Sequence, residues 1–154
     1  MIRYTGVYVT FQEVPNEVSL TLAISGCPFR CQGCHSPYLQ EEMGEELTSS
    51  VLFRLLAEYR DGITCVCFMG GDGDLRALES LFWFVHACGF KVCFYSGGTC
   101  IEDFDNLPDY YKTGPYIASR GGLASRDTNQ RMYRLIKEKG VYEDITHLFW
   151  KEKT

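Results

Sequence analysis

Val18-Ser19-Leu20-Thr21-Leu22-Ala23-Ile24 runs directly into Ser25-Gly26-Cys27-Pro28-Phe29-Arg30-Cys31-Gln32-Gly33-Cys34, and the reading of this stretch decides the fold. Its first part alternates apolar and polar residues before a short apolar run, the pattern of a strand, and Ser25-Gly26 releases it into a loop that carries three cysteines. Downstream the period changes. Thr48 is positioned to cap a helix whose Val51, Leu52, Leu55, Leu56 and Tyr59 fall on one stripe, with Asp61-Gly62 as its stop. Ile63 to Met69 reads as the next strand. Asp74 then caps a second helix with Leu75, Leu78, Leu81, Phe82 and Val85 inward, ending near Gly89, and Phe90 to Tyr95 follows as a strand. Two strand–helix–strand units in succession indicate an α/β chain with parallel strands, right-handed crossovers and ligand sites beyond the carboxyl ends of the strands. On that geometry the loops Ser25 to Cys34, Gly70 to Gly73 and Ser96 to Thr99 share one rim. Farther on, Pro115 to Ser119 reads as a strand and Thr128 to Lys139 as a helix stopped by Gly140.

The chain has 154 residues, the size of one ordinary domain, so residues 1–154 are taken as a single domain. Its net charge is −5, from 15 basic and 20 acidic side chains, which provides no field to hold a phosphate backbone, and nucleic acid is not expected as a partner. No apolar run approaches the roughly 20 residues that span a bilayer, and Met1-Ile2-Arg3-Tyr4-Thr5 has no signal-peptide pattern. A cytoplasmic protein without a membrane partner is expected. In a reducing compartment the eight cysteines are thiols to be assigned one by one rather than a disulfide framework.

Cys27, Cys31 and Cys34 lie within eight residues on one loop, close enough to turn toward a single metal centre. A closed structural zinc site wants four ligands and a ferredoxin cluster takes four cysteines, so three thiols suggest one open coordination position. Zinc completed by His35 or a distant cysteine is the competing reading. Zinc motifs, however, usually present paired Cys-x-x-Cys knuckles, which this spacing is not.

The pattern Cys-x-x-x-Cys-x-x-Cys resembles the defining motif of the radical S-adenosylmethionine (SAM) superfamily, and Ile24 to Pro37 resembles the segment found in activating enzymes of glycyl-radical enzymes. Met69-Gly70-Gly71-Asp72 is similar to that family's Gly-Gly-Glu motif, and Phe94-Tyr95-Ser96-Gly97-Gly98 to its aromatic-(Ser/Thr)-Gly strand end. Lys112-Thr113-Gly114-Pro115-Tyr116 and Thr128-Asn129-Gln130-Arg131 are similar to segments of the anaerobic ribonucleoside-triphosphate reductase activating proteins, whose short length this chain shares. The resemblance implies a [4Fe-4S] cluster on Cys27, Cys31 and Cys34 with SAM at the open iron. It implies SAM-facing positions Gly33, Cys34, His35, Gly70, Gly71, Asp72 and Ser96, with Asp72 receiving the SAM ammonium and His35 lining the adenine side. It further implies reductive cleavage of SAM and a glycyl radical left on the reductase, with a one-electron donor such as flavodoxin or ferredoxin as second partner. The fold implied is a small, incomplete (open) radical SAM (β/α) barrel, with room for four or five of about six strand–helix units. Another glycyl-radical enzyme or a small molecule as substrate is the alternative, and a non-enzymatic zinc or redox module a third. Three departures from the family stand out: Gly73 replaces a common proline, Asp72 a glutamate, and the pair Lys112-Thr113 an acidic residue.

Other residues have plainer readings. Cys65 and Cys67 have strand spacing, Cys93 falls on the next strand, and buried cysteine usually packs as a small apolar group; Cys88 and Cys100 are read the same way. His86 in an apolar helix is expected to be hydrogen-bonded rather than a ligand, and His147 belongs to the tail. Arg120 and Arg126 around Gly121-Gly122 form a basic loop, either a solvated connection or a docking surface for a partner.

Overall fold

A computed structural model describes residues 1–29 and 37–150. Eight strands form one sheet: β1 (Arg3–Thr10), β2 (Ser19–Ile24), β3 (Glu45–Glu46), β4 (Cys65–Met69), β5 (Lys91–Tyr95), β6 (Tyr110–Thr113), β7 (Arg131–Ile136) and β8 (Val141–Asp144). Their order is β3-β1-β2-β4-β5-β6-β7-β8. The four central strands β2, β4, β5 and β6 are parallel, and the flanking pairs are antiparallel. The sheet is therefore mixed, with β3 and β8 at its two ends.

Helix α1 (Ser49–Tyr59) connects β2 to β4, and α2 (Leu75–Ala87) connects β4 to β5, as the apolar stripes require. Thr48 caps the first by accepting the Val51 N–H at 3.2 Å, and Asp74 caps the second by accepting that of Ala77 at 3.2 Å. Each cap satisfies a backbone donor that the first helical turn leaves unpaired. Both helices press on one face of the sheet, where Leu52, Leu55, Leu78 and Phe82 pack with Leu20, Leu22, Val66, Phe68, Val92 and Phe94. None of the described helices is long and apolar enough to cross a membrane.

Strand alternation sends Cys65, Cys67 and Cys93 to the opposite face, where they are fully buried with Val14, Tyr110, Met132 and Ile145. The register sets side chains of this face in rows across the strands. Cys67 lies beside Cys93 and Cys93 beside Tyr110; the next row toward the carboxyl ends is Met69, Tyr95, Lys112 and Met132. Cys67 and Cys93 are thus the layer beneath that second row and Cys65, level with Lys91, lies one row deeper, in keeping with the small-apolar reading.

Two strand–helix–strand units are present among the described residues, and the segment from β5 to β6 carries no helix; Gly97, Gly98 and Pro108 interrupt any helical stripe there. Two expectations need correction. The helix expected over Thr128 to Lys139 is instead β7, which pairs with β8 through a turn whose Gly140 N–H donates to the Ile136 carbonyl at 2.9 Å. Met132, Leu135 and Ile136 mimic a helical stripe, but pairing with β6 on one side and β8 on the other satisfies the backbone more fully. Pro115 to Ser119 is not a strand; only Ile117 makes an isolated bridge, to Gly121.

Candidate functional site

At the carboxyl ends of the parallel strands a cleft of about 350 Å³ opens, within the range that holds a small ligand or cofactor. Cys27 and Phe29 after β2, Gly70 and Asp72 after β4, Ser96 and Gly97 after β5, and Gly114 to Tyr116 after β6 all line it. The shared rim expected from the two crossover units therefore exists. Its residues come from four separate loops because parallel strands deliver all their exits to one edge.

Those loops are tied to one another. Ser96 Oγ donates to Asp72 Oδ1 at 2.5 Å, and the Gly97 N–H donates to Asp72 Oδ2 at 3.1 Å. Gly70 N–H donates to the Tyr95 carbonyl at 3.1 Å, and Gly114 N–H to the Gly98 carbonyl at 2.7 Å. On the opposite wall the Cys27 N–H is held by the Leu39 carbonyl at 2.8 Å and the Gly26 N–H by that of Glu41 at 3.2 Å. These two bonds pin both ends of the cysteine loop. The half-buried Cys27 thiol points its Sγ within 3.5 Å of the Phe29 carbonyl.

The glycines have distinct tasks. Gly70 and Gly71 both adopt left-handed φ, +111° and +114°, which a side chain would strain. Gly70 lines the cleft, whereas a Cβ on Gly71 would meet the Leu78 side chain at 2.9 Å, so Gly71 faces α2 and a neighbouring hollow rather than the cleft. A Cβ on Gly73 would stand 2.9 Å from the Gly26 carbonyl. The absence of a side chain at Gly73 lets the loop after β4 close onto the loop that carries Cys27, and a proline ring at this position would not fit that approach.

Of the residues singled out in the sequence, Cys27, Gly70, Asp72 and Ser96 meet in the cleft and Gly71 stands behind it. Cys31, Cys34, Gly33 and His35 lie outside the described residues. Sequence reasoning missed Lys112, Phe29, Tyr116 and Gln130 as parts of the wall. Lys112 is buried, donates to the carbonyls of Ser96 at 3.0 Å and Gly114 at 2.8 Å, and lies 5.9 Å from the centre of the Tyr95 ring. A lysine in so aromatic a strand was the signal that could have found it. Burial pushes the phenol of Tyr95 well up, so it stays neutral and donates to the Glu13 carbonyl.

Residues 17–110, more than half of the chain, match the family model of 4Fe-4S single cluster domains. The chain belongs to that family. Its cofactor is accordingly an iron–sulfur cluster, which favours cluster chemistry over the zinc alternative. The chain has no match among curated proteins or among solved structures. A [4Fe-4S] cluster takes cysteine thiolates, and the Cys27 thiol on the wall of a ligand-sized cleft fits that requirement. Cys65 and Cys93 do not. Burial holds the Cys65 and Cys93 thiols well above their ordinary range, disfavouring the thiolate, and no group of three or more metal-binding side chains occurs among the described residues.

The remaining candidates are structural here. His86 sits between Asn106 and Asp109, its two ring nitrogens 2.7 Å from an oxygen of each. The basic loop is folded back: Arg120 Nε donates to the Asp127 carbonyl at 2.8 Å, and Arg126 stacks over the Trp150 ring at 5.5 Å.

Proposed function

We propose that this 4Fe-4S protein is a radical SAM activating enzyme, with Cys27, Cys31 and Cys34 as cluster ligands and the fourth iron open to SAM. The observation that carries the proposal is the convergence of Cys27 and Asp72 on one cleft beyond the carboxyl ends of four parallel strands. When bound, the cluster would supply the single electron for reductive cleavage of SAM, the chemistry from which hydrogen-atom abstraction at the target would follow.

The chain's own residues bind and orient. Asp72, its carboxylate aimed by Ser96 and Gly97, accepts the ammonium of SAM; a carboxylate has about four acceptor sites, and these two bonds leave room for a third. Gly70 lets backbone approach the same group. Phe29, Tyr95 and Tyr116 provide apolar walls for the adenosyl part and exclude water. The target proposed is the Cα–H of a glycine in an anaerobic ribonucleoside-triphosphate reductase, with flavodoxin or ferredoxin as electron donor. The two open ends of the sheet support reading it as an incomplete barrel that admits a protein loop.

Anaerobic reconstitution tests this. We expect four irons and four sulfides per chain, a paramagnetic resonance signal of the reduced cluster that SAM perturbs, and a glycyl radical on the reductase after mixing. A cluster that ignores SAM overturns the radical SAM reading. SAM cleavage without a glycyl radical overturns only the activase assignment, in favour of another glycyl-radical enzyme or a small molecule as substrate.

A further inference from the structure

Residues 114–130, between β6 and β7, run as one loop whose regular structure is limited to the isolated bridge from Ile117 to Gly121. Connections longer than roughly 12–15 residues without secondary structure are uncommon and usually functional. This one contributes Gly114, Pro115, Tyr116, Gly122 and Gln130 to the cleft, so a whole wall depends on where the loop is held. Because β2 and β6 are the two ends of the parallel set, that wall stands across the cleft from Cys27.

The loop's own hydrogen bonds keep it folded as a unit. Thr128 Oγ1 donates to the Gly121 carbonyl at 3.1 Å, Arg120 Nε to that of Asp127 at 2.8 Å, and Asn129 Nδ2 to that of Pro115 at 3.0 Å. Its tip is moored elsewhere. Trp150 Nε1 donates to the Leu123 carbonyl at 3.1 Å, and the Arg126 guanidinium lies 5.5 Å from the centre of the Trp150 ring. Trp150 directly follows the helical turn Thr146–Phe149, and that turn is fixed to the sheet. The Ile145 N–H donates to the Met132 carbonyl at 2.8 Å, and the Met132 N–H donates to Thr146 Oγ1 at 2.9 Å. One indole thus joins the tip of the cleft loop to β7.

We propose that Trp150 is a positioning residue for the cleft, holding residues 114–130 where Tyr116, Gly122 and Gln130 form the wall against the adenosyl part of SAM. This deepens the SAM reading and rests on it. Trp150 is outside the cleft wall and acts through the loop alone. A loop that spends part of its time away from the closed position weakens a ligand it touches in proportion to the closed fraction lost. By linkage, the ligand in turn holds the loop closed.

The test reads two quantities on the cluster-loaded chain, amide hydrogen exchange and equilibrium affinity for SAM. Trp150→Ala removes the indole donor and the ring beneath Arg126. Exchange in residues 114–130 is expected to quicken by about tenfold, the combined scale of one hydrogen bond and one exposed cation–π contact, while β2, β4 and β5 keep wild-type protection. SAM affinity should fall by up to about tenfold with normal iron content, and saturating SAM should restore part of the loop's protection. Trp150→Phe, which keeps a ring but not the donor, should recover part of both losses. Faster exchange throughout the sheet would make Trp150 a general structural tie, and a loosened loop with unchanged SAM affinity would remove it from the positioning of the cleft. An unchanged loop would deny the mooring itself; each of these three results overturns the proposal. If the alanine variant does not fold, the phenylalanine variant carries the same comparison. Failure of the wild-type chain to bind SAM is a separate result that overturns the proposed function, and it is told apart because it appears before any substitution is made.

Discussion

Replacing Asp72 separates its binding role from its structural one, because the two depend on different properties of the side chain. The carboxylate accepts two charge-assisted hydrogen bonds, from the Ser96 hydroxyl and the Gly97 N–H, and these brace the loop after β4 against the loop after β5. Asp72→Asn can keep both: the amide oxygen accepts from Gly97, and the amide nitrogen donates to the Ser96 hydroxyl, which rotates to accept. Only the charge is lost. Asp72→Ala loses both bonds and leaves the Gly97 N–H without its acceptor. At about 1.5–3 kcal/mol per charged bond, reduced because the site is half-exposed and the bonds share one acceptor, the alanine variant should lose about 2–4 kcal/mol of stability. In a chain of this size that lowers the melting temperature by roughly 5–15 °C. The asparagine variant should lose about 1 kcal/mol or less by the same bond-keeping argument. Both should lose SAM affinity by about 1.5–3 kcal/mol, roughly 10- to 150-fold, with normal iron content. Thermal unfolding measures the first quantity and equilibrium binding to the reconstituted protein the second. If Asp72→Asn bound SAM like the wild type, or unfolded as early as Asp72→Ala, the division of labour would be refuted.

Alanine at Cys27, Cys31 or Cys34 should abolish stable cluster incorporation, while Cys65→Ala should keep the iron content and cost about 1 kcal/mol of core packing; iron analysis that reverses this order sinks the ligand assignment. The hydrogen bond that His86 donates to Asp109 raises the pKa of His86 above its ordinary 6.5, and that bond together with the Val92 N–H and Lys137 lowers that of Asp109 despite its burial. Their sign gives a window: the His86 contribution is full below about pH 6.5 and fades as pH rises through the raised value, whereas the Asp109 contribution fades as pH falls through the lowered one. Urea unfolding of His86→Gln against the wild type should therefore show a gap near pH 6 that narrows toward pH 9, and a constant gap would count against it. If the folded basic loop docks the reductase, Arg120→Glu impairs glycyl-radical formation without changing cluster content or SAM affinity; full activation by that variant removes the loop from the contact.

Much of the central fold was legible in the chain itself. The caps Thr48 and Asp74, the apolar stripes they start and the strands on either side are local features, each set by residues a few positions apart, and α1, α2, β4 and β5 follow them closely. The carboxyl-terminal third was not legible by the same means. Between Thr128 and Lys139 the spacing of apolar residues suits a helix as well as a strand, and only the neighbouring β6 and β8 decide between them. Asp72 and Ser96 were identified by local motifs, but not the bond between them, which joins residues 24 positions apart.

What the sequence determined alone is the chemistry that needs only proximity along the chain: three thiols within eight residues, glycines at a strand exit, and a period that alternates strand with helix. Tertiary structure decided everything that depends on register. It set Cys65, Cys67 and Cys93 in a dry layer beneath the cleft, where burial keeps the Cys65 and Cys93 thiols protonated, and it turned Gly71 away from the cleft toward Leu78. It also brought Lys112 to the far side of Ser96 from Asp72, joining residues 40 positions apart through a single serine. No periodicity encodes that meeting, because it arises from the pairing of β5 with β6 and not from the order of residues in either strand.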